Sequence, residues 1–291
     1  FDSDILQAKT PGAWSSKTIT YTDIDGVSFT INYQDETNLS KCKLTEVALE
    51  LPSADNSICN NFLYYCRVVK SVNISGLINT TTFEGSFLYY CENITNFEWS
   101  TWTNIETIGE NFLNSCRSIT EIDLSPLSKI TAIPDRFLGG VGVTEIDLSP
   151  LSNTTTIGQY FMGYCKNLVE VDLSPLANVE SIDNCFIYYA DSLEEIDLSP
   201  LVKLQTIGEE FARNDIALKS VILSGLISLT TIGKSFLYQC TALESIDLSS
   251  LTNLQRINSG FLSVCSELKQ IDLTPLRNIT YIDSSFLSRC S

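Results

Sequence analysis

No histidine occurs anywhere in the 291 residues, and methionine occurs once. Without histidine, this chain alone assembles neither a Ser–His–Asp nor a Cys–His catalytic constellation, and the commonest zinc ligand is missing. Basic residues are also scarce: 18 Lys and Arg stand against 35 Asp and Glu, for a formal charge of -17. So acidic a surface repels phosphate backbones and anionic lipid, which argues against nucleic-acid binding and membrane docking. No run of 18 apolar residues exists, so no segment reads as a bilayer-spanning helix. No signal-peptide pattern is visible, and the start at Phe1 without Met fits a processed secreted protein or a trimmed one equally well.

What the chain does have is repetition. Hydrophobic residues make up 44% of it, and they recur in register. A strand anchor falls at Val47, Val72, Phe97, Ile122, Ile146, Val171, Ile196, Val221, Ile246 and Ile271, in steps of 25 residues with one of 24. A phenylalanine keeps the same step at 62, 87, 112, 137, 161, 186, 211, 236, 261 and 286. Ten coils with one deletion make a repeat array, in which each unit packs only on its neighbours.

Within one coil, Leu193, Ile196, Leu198, Leu201, Leu204, Ile207 and Phe211 stand where a wrapped chain points inward. The Leu-x-x-Ile-x-Leu segment predicts a strand with alternate residues buried, stacked on its equivalents as a parallel sheet. After the second Ile comes Gly109, Gly158, Asp183, Gly208, Gly233, Asn258 or Asp283, with Cys59, Glu84 and Pro134 as exceptions. Gly, Asn and Asp tolerate left-handed backbone and cap helix starts, which predicts one or two helical turns over segments such as Glu209 to Asn214.

Residues 1–40 lie outside the repeat. Lys17 to Thr22 and Val27 to Tyr33 alternate apolar with polar around Asp23-Ile24-Asp25-Gly26, the pattern of a β-hairpin. Such a hairpin would cover the first apolar layer of an array that occupies residues 41–291. Nothing after Cys290-Ser291 looks like a matching cap, so the native protein is expected to continue or to meet a partner end to end there.

The array resembles the BspA-like leucine-rich repeat family. The residues that carry the resemblance are the recurrent Leu-x-x-Ile-x-Leu, Thr-x-Ile-Gly as in Thr206-Ile207-Gly208 (the repeat's Thr-Ile-Gly), and Phe-x-x-x-Cys as in Phe236 to Cys240. One departure is Asp-Leu-Ser-Pro-Leu, for example Asp197 to Leu201, which places a proline close behind the strand. The resemblance implies an open right-handed α/β solenoid with a parallel sheet on its concave face and short helical turns on its convex side. It also implies a cell-surface or secreted protein that adheres to or binds other proteins.

Seven of the ten cysteines share one position, four residues after the repeat Phe: Cys66, Cys91, Cys116, Cys165, Cys240, Cys265 and Cys290. Val141, Ala190 and Asp215 take that position in the other coils. Val and Ala replace a small buried thiol, so the column reads as reduced core cysteines, and 25-residue spacing lacks the paired Cys-x-x-Cys of metal sites. Cys42 and Cys59 leave open a disulfide beside the cap. No cofactor or metal is expected. Asn38, Asn73, Asn79, Asn93, Asn153 and Asn278 match the acceptor pattern for N-glycosylation, little more often than chance yields in a chain rich in Ser and Thr.

If Ile196 and Leu198 point inward, Glu195 and Asp197 point out. Read across coils, Glu121, Glu145, Glu170 and Glu195 form one column, and Asp123, Asp147, Asp172 and Asp197 the next. These eight carboxylates are the candidate partner-binding residues. They serve a basic protein surface in one reading, mere solubility in another, and calcium in a third. A glycosidase pair is disfavoured, because no one pair is set apart by its surroundings. The paired tyrosines Tyr64-Tyr65, Tyr89-Tyr90 and Tyr188-Tyr189, with Tyr164 and Tyr238, are contact residues or pack flat on neighbouring coils. Ile222 interrupts the Asp column near Ile227, an apolar spot. The expected function is therefore non-catalytic recognition of a protein, with a structural spacer or surface-coat component as the alternative.

Overall fold

The computed structural model describes residues 5–8, 18–22, 28–32, 46–50, 57–58, 60–75 and 78–290. They fall into two compact units, one within Phe1–Ile130 together with Gly140–Gly142, the other Thr131–Gly139 with Val143–Ser291. Parallel strands stack in each as a solenoid, about eight turns in all against the ten counted in sequence. The first counted coil lies largely outside the described residues.

In the first unit, strands β1 (Ile5–Ala8), β4 (Glu46–Glu50), β6 (Ser71–Ser75) and β8 (Asn96–Glu98) form one parallel sheet. Strands β5 (Ser57–Ile58), β7 (Thr82–Phe83) and β9 (Thr107–Ile108) form another. Strands β2 (Thr18–Thr22) and β3 (Ser28–Asn32) pair antiparallel, Thr22 opposite Ser28, as the alternation around Asp23 to Gly26 predicts. Sequence counting missed β1, which pairs in register with β4 ahead of the hairpin.

The second unit is built on a five-stranded parallel ladder: β10 (Ala132–Ile133), β11 (Thr156–Ile157), β12 (Ser181–Ile182), β14 (Thr206–Ile207) and β16 (Thr231–Ile232). Strands β13 (Glu195–Asp197) and β15 (Ser220–Ile222) make a separate pair, as do β17 (Arg256–Ile257) and β18 (Tyr281–Ile282). The continuous ladder of this unit thus runs through the segments that end at the Ile of Thr-Ile-Gly and its equivalents, and not through Leu-x-x-Ile-x-Leu.

The core is the predicted one. Leu193, Ile196, Leu198, Leu201, Leu204, Ile207 and Phe211 are all buried. The phenylalanines form a stack of buried rings: centroids lie 5.3 Å apart for Phe62 and Phe87, and 5.3 Å for Phe186 and Phe211. The single 24-residue step, from Phe137 to Phe161, widens that spacing to 6.3 Å. Stacked rings contribute about 0.5–1.5 kcal/mol per pair beyond burial, so the column both fills and registers the coils.

The helical turns expected over segments such as Glu209 to Asn214 are not there. Each of these segments is a run of consecutive turns in which every second residue has positive φ: Glu210 (60°), Ala212 (48°) and Asn214 (64°), or Ser235 (57°), Leu237 (54°) and Gln239 (61°). Their N–H groups reach into the coils on either side: Glu210 donates to the Lys234 carbonyl, and Ala212 to that of Phe186. Left-handed backbone costs on the order of 1–2 kcal/mol per residue, and these inter-coil bonds offset it. Among the described residues, the only helices are four three-residue 3-10 turns: Ser125–Leu127, Ser149–Leu151, Ser174–Leu176 and Thr274–Leu276. Proline near the start of each accounts for the Pro behind the strand in those coils, since its fixed φ suits the first turn, while Ser199-Pro200 of the Asp197 to Leu201 segment forms a plain turn.

The glycine after the second Ile also has a different role from the expected one. Gly109, Gly158, Gly208 and Gly233 do not have positive φ. A Cβ on Gly233 would stand 2.4 Å from the backbone of Gly208 and Glu209, and one on Gly208 2.6 Å from that of Asp183. Glycine is there because the coils approach too closely for a side chain.

Candidate functional site

The side chains of the Asp column bond to their own backbone. Asp172 accepts the Ser174 N–H at 2.8 Å through Oδ1 and the Ser174 hydroxyl at 2.9 Å through Oδ2. Asp123 does the same with Ser125, and Asp272 with Thr274. Asp147 and Asp197 accept the N–H of Ser149 and Ser199. The hydroxyl and N–H of Ser149 hold the Asp147 carboxyl below its usual range. These are Asx turns that launch the Ser-Pro-Leu segment. The Asp column therefore shapes the chain first, and shows only what remains of its charge to solvent.

The Glu column is freer. Glu121, in the first unit, is exposed, as are Glu145, Glu170 and Glu195 in the second. Glu195 accepts the Ser220 hydroxyl at 2.6 Å. None of the four glutamates takes part in an ion pair found among the described residues. Those pairs are Arg117–Glu92, Lys166–Asp191, Arg213–Glu210, Lys219–Glu194, Lys234–Glu209 and Lys269–Glu244. The six basic side chains in these pairs are thus engaged elsewhere, and among the described residues the strand-face glutamates join no ion pair.

That face is also where hydrogen-bonded strands are absent. Residues 145–147 and 170–172 form no ladder, and the anchors Ile146 and Val171 are half-buried where Ile196 is buried. Carboxylates directly opposite each other disfavour pairing, and these coils set Glu on Glu and Asp on Asp. Where a ladder does form, acid faces a neutral residue: Glu195 opposite Ser220, Asp197 opposite Ile222, and Glu98 opposite Asn73. Residues 245–247 also lack a strand, with no such clash against Ser220–Ile222, and the structure offers no reason for that.

Among the described residues, no group of three His, Cys, Asp or Glu is placed to hold a metal ion. The tyrosines stack on one another across coils: Tyr65 on Tyr90 with centroids 4.6 Å apart, Tyr164 on Tyr189 at 5.6 Å. Ile227 is 64% exposed with Val202 one coil earlier at 52%, so an apolar spot exists, while Ile222 is half-buried. Asn73, Asn79, Asn93, Asn153 and Asn278 are all exposed. The amide nitrogens of Asn93 and Asn278 donate to the Arg67 and Thr252 carbonyls of the coil before. Asn38, Cys42 and Cys59 lie outside the described residues.

Cysteines 66, 91, 116, 165, 240 and 265 are buried and in the reduced thiol form. The Cys91 thiol donates to the Leu63 carbonyl at 3.0 Å, Cys116 to Leu88 at 3.0 Å, and Cys240 to Ala212 at 3.0 Å. Every one of those acceptors belongs to a residue with positive φ. The column therefore satisfies carbonyls of the left-handed turns, a role that spacing alone does not reveal.

A family model described as a BspA type leucine rich repeat region, with six copies, matches residues 33–169, 80–219, 131–249 and 180–291. The chain belongs to the BspA-type leucine-rich repeat family. A leucine-rich repeat protein from Bacteroides ovatus is similar over 98% of this chain and 72% of its own, at 14% identity and a TM-score of 0.62. One from Eubacterium ventriosum matches over 94% and 93% at 16% identity and a TM-score of 0.42. A leucine rich cell surface protein from Faecalibacterium prausnitzii matches over 100% and 92% at 13% identity and a TM-score of 0.36. No curated protein sequence matches the chain. At such identities the likeness is one of fold. Members of this class of repeat protein are generally non-catalytic scaffolds for protein interaction. No helix among the described residues of this BspA-type chain is long and apolar enough to cross a membrane.

Proposed function

We propose that this BspA-type chain is a non-catalytic recognition module, displayed at the cell surface or secreted, that binds a protein with a basic surface through its strand-face carboxylates. The observation that carries this reading is the contrast between the two columns. The aspartates are bonded to their own turns, while Glu145, Glu170 and Glu195 stand exposed on consecutive coils, outside every ion pair among the described residues. A row of uncompensated charge raises association rates with an oppositely charged partner and makes them fall with salt. Membership of a family of surface proteins suits the placement, and the absence of histidine suits the non-catalytic role. The hairpin of β2 and β3 is the cap of the array in this scheme.

The test measures surface plasmon resonance on the immobilised chain with a set of small proteins of pI above about 9, and acidic ones as controls. Wild type is expected to capture members of the basic set with a steep dependence on salt. The triple variant Glu145→Gln/Glu170→Gln/Glu195→Gln is expected to lose most of that capture while unfolding at the same urea concentration. A triple variant that binds as wild type does would transfer recognition to another face or leave the chain as a spacer.

A further inference from the structure

We propose that an open pocket in the first unit receives an arginine side chain of the partner. This rests on the recognition reading above and adds to it a specific residue and a specific place. Strand β8 pairs with β6 on one edge, Val72 opposite Phe97 and Asn73 opposite Glu98. On its other edge no strand forms at residues 121–123. Between those two coils the strand face opens a pocket of about 530 Å³, whose lining includes Phe97, Trp99, Ile122, Glu98, Glu121 and Asp123.

The wall of the pocket is aromatic and aliphatic. Phe97 occupies the strand-anchor position that is Ile or Val in every other coil. It is only half-buried, and its ring packs on those of Phe87, Trp99 and Trp102 at 5.2, 5.4 and 5.7 Å between centroids. Ile122, also half-buried, stands in the facing coil. The rim is negative. Glu98 and Glu121 are exposed and join none of the ion pairs among the described residues. No Lys or Arg lines the pocket. Asp123 holds both its oxygens on Ser125, so it contributes charge more than a free ligand atom.

A side chain that fits must present an apolar stem to Phe97 and Ile122 and a cation to Glu98 and Glu121. Arginine matches better than lysine. Its planar guanidinium stacks on an aromatic face and forks onto carboxylates, where the lysine ammonium is a compact, strongly hydrated point charge.

Fluorescence anisotropy with labelled hexa-arginine, hexalysine and hexacitrulline peptides tests this. Hexa-arginine is expected to bind wild type about tenfold tighter than hexalysine, and hexacitrulline not at all. Glu121→Gln, at an exposed site that does not threaten the fold, is expected to weaken hexa-arginine binding about three- to tenfold. Phe97→Val, which restores the residue type of the neighbouring coils, is expected to erase the preference for arginine over lysine, with its urea midpoint recorded alongside. Glu267→Gln, at an exposed position in the second unit, should leave that preference untouched. Equal binding of the two cationic peptides, or a preference that survives Phe97→Val, overturns the pocket but leaves the acidic-face reading standing. Absence of binding by either peptide overturns both.

Discussion

The buried carboxyl of Asp215 accepts a hydrogen bond from the backbone N–H of Ala190, 2.7 Å away in the coil before. Both residues stand in the cysteine column, and the small Ala190 leaves room beside it for the larger side chain. Asp215 Oδ2 has no hydrogen-bond partner. The thiols of this column donate to a carbonyl 28 residues earlier, as Cys240 does to Ala212. Asp215 stands at that position in its own coil, with Ile187 28 residues earlier.

Burial pushes the Asp215 carboxyl well above the usual carboxylate range, and the charge of Asp191 adds to that, while the Ala190 N–H pulls the other way. Cys240 in the next coil faces the same carboxyl. A folded pKa above the unfolded value of about 4 means the native state holds the proton longer. Stability is therefore greatest below that pH and falls as pH rises toward the folded pKa. The amide of Asp215→Asn has no such titration, so the urea midpoint of this variant should gain on wild type between about pH 4 and pH 7. A difference that stays constant across that range contradicts a buried, proton-holding Asp215.

The remaining column thiols should be inert. Burial raises the thiol of Cys265 to about 12 and drives those of Cys116 and Cys240 up as well, and only the thiolate reacts. A thiol-reactive chromophore at pH 8 is expected to leave Cys66, Cys91, Cys116, Cys165, Cys240 and Cys265 unlabelled until urea unfolds the chain. Cys290 is half-buried and is expected to label first. Rapid labelling of Cys116 in the native protein would be incompatible with a buried column.

Coil stacking depends on glycine at one position and not at others. Gly233→Ala puts a methyl 2.4 Å from the backbone of the coil before and should cost about 2–3 kcal/mol. Gly163→Ala meets nothing nearer than 3.5 Å and should change stability by less than about 0.5 kcal/mol. Urea unfolding of the two variants separates a close approach from a generic loss of glycine.

The two acidic columns should respond oppositely to neutralisation. Asp147→Ala removes the acceptor for Ser149 and should lower the urea midpoint at pH 7, whereas Glu170→Gln relieves repulsion and should leave it unchanged or raise it. The Asp147 carboxyl is held below its usual range chiefly by the Ser149 hydroxyl, then by its N–H. Its contribution is thus present above the unfolded pKa and is lost as pH falls through the folded one. The deficit of Asp147→Ala should shrink on acidification. A deficit that persists at low pH would mean the Asx turn is not what the carboxylate supports.

The 25-residue step placed the phenylalanines at 62 to 112 in the first unit, and those at 137 to 261 in the second, among buried residues, because inward positions repeat with the coil. It could not tell a helical turn from the alternating turns at Glu210 to Asn214, since both begin after a residue with a permissive backbone. Gly208 was open to either reading, and only the 2.6 Å approach to Asp183 decides between them. The Asp column reads as free charge when only its outward direction is considered. Yet Asp123, Asp147, Asp172 and Asp197 each have Ser two residues on, the signature of an Asx turn. That signal was in the sequence and separates the aspartates from the glutamates. The pocket beside Phe97 was marked only by an aromatic residue in a column of Ile and Val.

Hydrogen exchange read by mass spectrometry, on the chain with and without a bound basic protein from the capture set, tests the recognition claim most directly. The predicted result is slowed exchange at residues 145–147 and 170–172, where no ladder bonds protect the backbone, with the turns at 210–214 unchanged. Protection confined to the turn segments or the Thr-Ile ladder, with the strand face exchanging as in the free chain, would contradict it.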